Sequence, residues 1–265
     1  MNDQITPSHR IYLKNIRKNK LCVIIFRILI AVLFIGGWEL FTRLKIIDAF
    51  VFSSPSRIIK CFTELAAEGI IFRHMGITIS ETLICFIIVI GAGMAVAMLM
   101  WRYRMIFKVA EPYFVLLNSL PKSALAPVLI VWLGNNIKTI IVAAVSVAVF
   151  GAILSIYTSF IETEPEKIKL MQTLGANRRQ ILFMLVIPSS LPIIYNTMKV
   201  NLGLSLVGVI IGEFLAARQG LGYMIIYATQ TFKMDWVLLS IVILCILSVC
   251  MYQLINLLEK RGTGK

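Results

Sequence analysis

Lys122 is the residue whose placement first points to chemistry, because it lies inside a long apolar run. That run, Val109 to Leu133, also holds Asn118, Ser119 and three prolines, Pro112, Pro121 and Pro127. A cation within an apolar segment of membrane length marks a functional position by default. Lys122 can line a path for an anion, or it can pair with Glu81 or Glu111. Each proline frees a backbone carbonyl that must find another partner. The segment is therefore expected to be kinked or broken and to face the interior of a helix bundle. Ser205 and Glu213 are further candidates for such a path. They lie in a later apolar stretch that also carries Lys199 and the small residues Gly203, Gly208 and Gly212, which let helices approach closely.

Other chemistry is missing from the sequence. There is no G-x-x-x-x-G-K-[ST] phosphate loop, and the terminal Gly262-Thr263-Gly264-Lys265 is only a fragment of one. No Ser/His/Asp arrangement is visible. The five cysteines, Cys22, Cys61, Cys85, Cys245 and Cys250, show no metal spacing and read as small buried hydrophobes. His9 and His74 stand alone and are not expected as ligands. The chain is thus read as a non-enzyme that binds no cofactor or metal. If it drives active transport, the energy must arrive through a partner.

The receiving surface is legible in residues 162–192, ETEPEKIKLMQTLGANRRQILFMLVIPSSLP, a polar-rich interruption between two apolar runs. Pro165 suits the first turn of a short helix, where its missing N–H costs nothing. Lys167 to Leu174 continue that helix, and Gly175 fits a left-handed cap. Asn177 can cap a second helix over Arg178–Ile187, with Ile181, Leu182, Leu185 and Val186 on one face. Pro188 and Pro192 are expected to stop it. The result is an elbow outside the bilayer, carrying Lys167, Lys169, Arg178 and Arg179, shaped for another protein to grip.

Composition says what must hold these residues. The 265 residues are 59% apolar with a mean hydropathy of +0.88, so the chain is solvated by lipid. A net charge of +13 would point to nucleic acid in a soluble protein; here it marks the cytoplasmic side of a membrane protein. After a basic tail, 1–20, a permease domain over 21–261 holds six predicted spans: 21–41, 77–100, 109–133, 139–160, 193–215 and 236–258. Residues 262–265 form a C-terminal tail. The first run is too long for a signal peptide and no small-residue cleavage site follows it. Residues 53–72 form an amphipathic helix on the outer surface, with Ser54 as cap and Pro55 at its first position. Placing the tail and the elbow inside puts 16 cations on the cytoplasmic side against 8 on the outer loops, with Arg27 and Lys122 unassigned. Both termini are then cytoplasmic.

The elbow resembles the cytoplasmic coupling loop of ABC-importer permeases. Gly175, Ile187 and Pro188 hold that family's Gly and Leu-Pro positions. Its Glu-Ala-Ala triplet falls on Lys169, Leu170 and Met171, a departure that replaces an acid by a cation. The stretch NSLPKSALAPVLIVWLG, Asn118 to Gly134, resembles the third span of nitrate, taurine and aliphatic sulfonate permeases. Gly212-Glu213-Phe214 followed by Gly220-Leu221-Gly222-Tyr223 is similar to the end of that group's fifth span. The resemblance covers about Ser53 to Arg261.

It implies an all-α polytopic membrane protein of the bacterial plasma membrane, with six transmembrane helices in a type I ABC-importer-like bundle and a cytoplasmic coupling helix. It further implies a permease dimer, of two copies of this chain or of one with a similar partner, two ABC ATPase subunits that bind ATP and Mg, and an extracellular or periplasmic solute-binding protein. Lys169, Leu170, Met171, Leu174, Gly175, Ala176, Ile187 and Pro188 would couple to the ATPase. Asn118, Ser119, Pro121, Lys122, Ser205 and Glu213 would line the path of a small solute: a sulfonate, taurine, nitrate or a vitamin-precursor heterocycle. The alternative is an ion-coupled secondary transporter, whose broken helices the third span also resembles.

Overall fold

The computed structural model describes residues 7–262, without the side chains of residues 7–17, 20, 122, 123, 126 and 262. The side chains of His9, Arg10, Lys14, Arg17, Lys20 and Lys122, and residues 263–265, therefore lie outside the described set. The described residues are helical nearly throughout and contain no strand. Twelve helical segments follow in order: α1 Pro7–Arg43, α2 Ala49–Phe52, α3 Pro55–Ala67, α4 Ile70–Arg102, α5 Arg104–Ser119, α6 Lys122–Leu133, α7 Ile137–Ile161, α8 Pro165–Thr173, α9 Arg178–Ile181, α10 Ile187–Ala216, α11 Leu221–Gln230 and α12 Met234–Gly262. A π-helical turn, Leu182–Val186, joins α9 to α10.

Five stretches are long and apolar enough to cross a membrane: Leu21–Arg43, Ile70–Arg102, Ile137–Ile161, Arg178–Ala216 and Met234–Arg261. The predicted third span is broken, as its prolines demand. Its halves, α5 with 16 residues and α6 with 12, meet at Leu120–Pro121, where the backbone is extended. At about 1.5 Å per residue each half measures roughly 24 and 18 Å, and neither alone spans a hydrocarbon core of about 30 Å.

The chain divides into two units, one ending at Thr63 and one beginning at Glu64. In the first, α1 continues from the tail into the apolar stretch without interruption, and no residue in the most apolar 18-residue window of that stretch is buried within the chain. Glu39 organises its far end. The carboxylate accepts from Arg43 Nε at 2.8 Å, from the Ser56 N–H at 3.1 Å and from Ser56 Oγ at 3.0 Å. It thereby satisfies an orphan N–H in the first turn of α3. Ser54 Oγ accepts from the Arg57 N–H at 3.3 Å, the cap expected of it.

In the second unit α7 is the central helix, flanked by α4 and α10. Ile140, Ala144, Ala148, Ala152, Ile156 and Phe160 recur every fourth residue along α7 and are all buried. Small residues set the distance to its neighbours. A methyl at Gly208 would lie 2.7 Å from the Ala144 backbone, and one at Gly212 would lie 2.9 Å from the Ile140 side chain. Where lipid is as apolar as the protein interior, this close approach supplies the dispersion contact that holds helices together. Lys199 of α10 pairs with Glu259 of α12 at 2.5 Å.

Two expectations are corrected. Pro188 and Pro192 do not stop the second elbow helix: Arg178–Ala216 runs on as one apolar helix through both. The π turn explains Pro188, while Pro192 lies inside α10. The Ile187 N–H bonds to the Leu182 carbonyl five residues back, so one extra residue enters the turn and Pro188 falls in the first turn of a new α segment, where no N–H is missed. The cysteines are not uniformly buried either. Cys61 and Cys85 are buried, but Cys22, Cys245 and Cys250 are exposed on the chain's outer faces.

Candidate functional site

The elbow forms by local rules. Glu164 precedes α8, Pro165 occupies its first turn, and Lys167 pairs with Glu164 at 2.9 Å. At the other end Gly175 adopts φ +81°, the Ala176 N–H bonds to the Met171 carbonyl and the Gly175 N–H to the Gln172 carbonyl, both at 3.0 Å. These two bonds are a Schellman motif, which satisfies the last carbonyls of α8 and requires the left-handed residue between them. Asn177 then starts α9 with a capping box: its Oδ1 accepts from the Gln180 N–H at 2.9 Å, and Gln180 Oε1 accepts from the Asn177 N–H at 2.8 Å.

One face of the elbow is anchored. Ile181, Leu182 and Val186 are buried in a cluster with Met100, Ile156, Tyr157 and Phe160, and Ile168, Met171, Ala176 and Ile187 pack against it. The opposite face of α8 is bare. Leu170 is 60% and Leu174 74% exposed, and Lys169, Gly175 and Pro188 are exposed with them. A side-chain atom added at Gly175 would meet nothing within 4 Å. The elbow therefore presents two adjacent leucines and a glycine to the outside while its other face is seated on the bundle end.

The predicted path residues fall in two places. Asn118, Ser119 and Pro121 are exposed at the break between α5 and α6, and the Ser119 hydroxyl donates to the Leu116 carbonyl at 2.8 Å. The backbone of Lys122 opens α6 beside them. Ser205 and Glu213 are instead buried inside the bundle on α10. Glu213 is only 1% exposed and is held on every side. Its Oε1 accepts from Thr78 Oγ1 at 2.7 Å and its Oε2 from the Gly222 N–H at 2.5 Å. Thr78 Oγ1 in turn accepts from the Leu221 N–H at 2.8 Å, and the Gly220 N–H meets His74 Nδ1 at 2.9 Å. Glu81, one of the partners weighed for Lys122, reaches the Glu213 carboxyl from α4.

His74 and Thr78 were missed as site residues. The available signal was their helical spacing with Glu81 and Cys85, which puts all four on one face of α4. Three buried polar atoms on α4 and α10 have no partner among the described residues: Glu81 Oε2, Asn201 Oδ1 and Ser205 Oγ. No group of His, Cys, Asp or Glu among the described residues is placed to hold a metal.

Comparison with known proteins agrees with this geometry. A family model described as "Binding-protein-dependent transport system inner membrane component" matches residues 87–263. Formylaminopyrimidine transport permease protein ThiX of Halalkalibacterium halodurans is 28% identical over 222 residues, 84% of this chain and 88% of its own length. The putative aliphatic sulfonates transport permease protein SsuC of Bacillus subtilis is 23% identical over 88% of this chain and 85% of its own. A chain of the inward-facing MetNI methionine ABC transporter superposes with a TM-score of 0.65 at 17% identity, covering 73% of this chain and 96% of that one.

Proposed function

The chain belongs to the inner membrane components of binding-protein-dependent transport systems and is a permease subunit of an ABC importer, and we propose that it works as a homodimer driven by two separate ATPase subunits docked on its elbows. Membership in this family displaces the ion-coupled reading.

The observation that carries the proposal is the two-faced elbow. Leu170, Leu174 and Gly175 are bare, while Ile168, Met171 and Ala176 are seated on the buried cluster at the bundle end. A helix anchored on one face passes a push on its other face to the bundle as a rigid body. The ATPase binds ATP and Mg; this chain supplies the lever. Lys169 stands where the family pattern has an acid, so the matching position on the ATPase carries an acidic or neutral side chain. Both termini and the elbow are cytoplasmic, and a solute-binding protein meets the opposite surface.

The solute passes the exposed break between α5 and α6. Asn118, Ser119 and Pro121 line it, with the backbone of Lys122 beside them and unwound backbone at Leu120–Pro121 adding polar groups. Glu213 supports this path from behind by fixing α10 against α4 through Thr78, and Ser205 is buried on the same helix. Relatives named for formylaminopyrimidine and aliphatic sulfonates, together with Lys122, favour an anionic or electron-rich solute.

A photoreactive amino acid at Leu174 tests the docking assignment. It should form an adduct with the ATPase subunit whose yield changes with nucleotide. The same probe at Met171 should give little. Equal labelling at both positions would contradict a two-faced elbow.

A further inference from the structure

The elbow also encloses a space that coupling does not use. A cavity of about 470 Å³ lies between it and the bundle, lined by Trp101, Arg104, Ile168, Gln172, Arg178 and Ile181. This falls in the size range of small-ligand sites, about 300–1,000 Å³. Four elements contribute. Trp101 lies in the last turn of α4, Arg104 opens α5, Ile168 and Gln172 lie one turn apart on α8, and Arg178 and Ile181 belong to α9. The α8 residues here lie opposite the bare Leu170 and Leu174, so the cavity and the docking face are separate.

Its charge is unbalanced. Among the described residues, neither Arg104 nor Arg178 is paired with a carboxylate, whereas Lys167 pairs with Glu164 and Lys199 with Glu259. Two guanidiniums, which only donate, share one space with a carboxamide and an indole N–H. Ile168 and buried Ile181 add apolar wall. Arginine forks match phosphate oxygens in pairs, and a tryptophan at the end of a membrane-crossing helix sits at headgroup depth. Basic pockets between helices on the cytoplasmic side suit anionic headgroups.

We infer that this cavity binds a phosphate group, supplied by the headgroup of an anionic phospholipid of the inner leaflet, with Arg104 and Arg178 as its clamp. The inference rests on the proposed cytoplasmic placement of the elbow. Arg104 begins the half-helix that runs to the break at Leu120–Pro121, and Arg178 begins α9, the second helix of the elbow. A phosphate between them ties the broken span to the lever, so bound lipid stiffens the connection that coupling uses.

The permease is purified and placed in nanodiscs of phosphatidylcholine with or without phosphatidylglycerol, and native mass spectrometry measures retained phosphatidylglycerol. Retention should fall about fivefold for each charge removed in Arg104→Gln and Arg178→Gln, and should not fall in Arg218→Gln, which lies outside the cavity. Inorganic phosphate is tested in parallel by thermal shift. Stabilisation of wild type but not of the double variant, without lipid retention, keeps the phosphate site and assigns it a soluble occupant. Equal lipid retention by wild type and the double variant, with no phosphate effect, overturns the inference. If the double variant does not fold, photoactivatable phosphatidylglycerol on the wild-type protein decides: label at the segment around Trp101 is expected, and its absence overturns the site. Loss of ATPase binding in the variants with unchanged lipid retention would also overturn it, giving the cavity to the ATPase and leaving the proposed function intact. Failure of the wild-type chain to bind an ATPase would defeat the proposed function whatever the lipid result.

Discussion

Glu213 and Gly222 are joined across a turn of nine residues: the Gly222 N–H donates to Glu213 Oε2 at 2.5 Å. This bond explains a sequence pattern in physical terms. A methyl at Gly222 would lie 2.8 Å from the Glu213 side chain, and one at Gly220 would run into its carboxylate. Gly220 also adopts φ +114°, which side chains disfavour. The Gly-Leu-Gly motif lets the backbone close over a buried carboxyl, and the carboxyl fixes α11 to α4 and α10.

Gly220→Ala should therefore destabilise the fold by about 2–3 kcal/mol, through overpacking and backbone strain together. Gly69→Ala is the control. Gly69 has φ +72° but nothing within 4 Å of an added methyl, so strain alone predicts about 1 kcal/mol. Thermal unfolding in detergent, read by size exclusion, ranks the two. Equal losses would mean that Gly220 is not crowded by Glu213.

The two acids should respond differently to amide substitution. Glu213 accepts from Thr78 and from the Gly222 N–H, and Gln cannot accept with both ends. Glu213→Gln should cost on the order of 1–3 kcal/mol. Glu81 already leaves Oε2 without a partner, and an amide there can donate to Glu213. Glu81→Gln should leave expression and thermal stability nearly unchanged. The reverse order would show that Glu81 carries the charge that matters.

Much of this arrangement was readable from residue types. Three prolines in one apolar run foretold the break at Leu120–Pro121, and Pro165, Gly175 and Asn177 foretold both caps of the elbow. Those signals act through neighbouring backbone, within a few residues. The contacts of Thr78 with Glu213 and of His74 with Gly220 were harder to read, because both residues come from α4, far away in sequence, and only their shared face on that helix marks them. The elbow helix defeated its proline signal for a related reason. A π turn at Leu182–Val186 absorbs Pro188, and nothing in the local residue types marks that register shift.

Lys199 and Glu259 should depend on one another. Their side chains are 12% and 26% exposed, so removing either partner leaves a largely buried charge. Lys199→Met alone and Glu259→Gln alone should each cost on the order of 2 kcal/mol, and the double variant less than their sum. A double-mutant cycle on thermal stability measures the coupling. Additive losses would mean that the pair contributes nothing.

Coupling should separate from folding at Gly175. Its φ of +81° predicts a loss of about 1 kcal/mol for Gly175→Ala, with open space around the added methyl. Transport should survive that change, whereas a bulky side chain at the same position projects into the docking partner. Uptake assays on the two variants in parallel distinguish strain from obstruction. A similar loss of uptake in both would point to strain.

The central claim is that the face bearing Leu170, Leu174 and Gly175 receives the force of a separate ATPase. The most direct measurement is ATP-driven solute uptake by the assembled complex in proteoliposomes, comparing wild type with Gly175→Trp at matched protein incorporation. The account predicts that the variant inserts and elutes as wild type does, retains the ATPase poorly, and loses uptake by more than about tenfold, or roughly 1.4 kcal/mol of coupling. Wild-type uptake and wild-type ATPase retention by Gly175→Trp would contradict it.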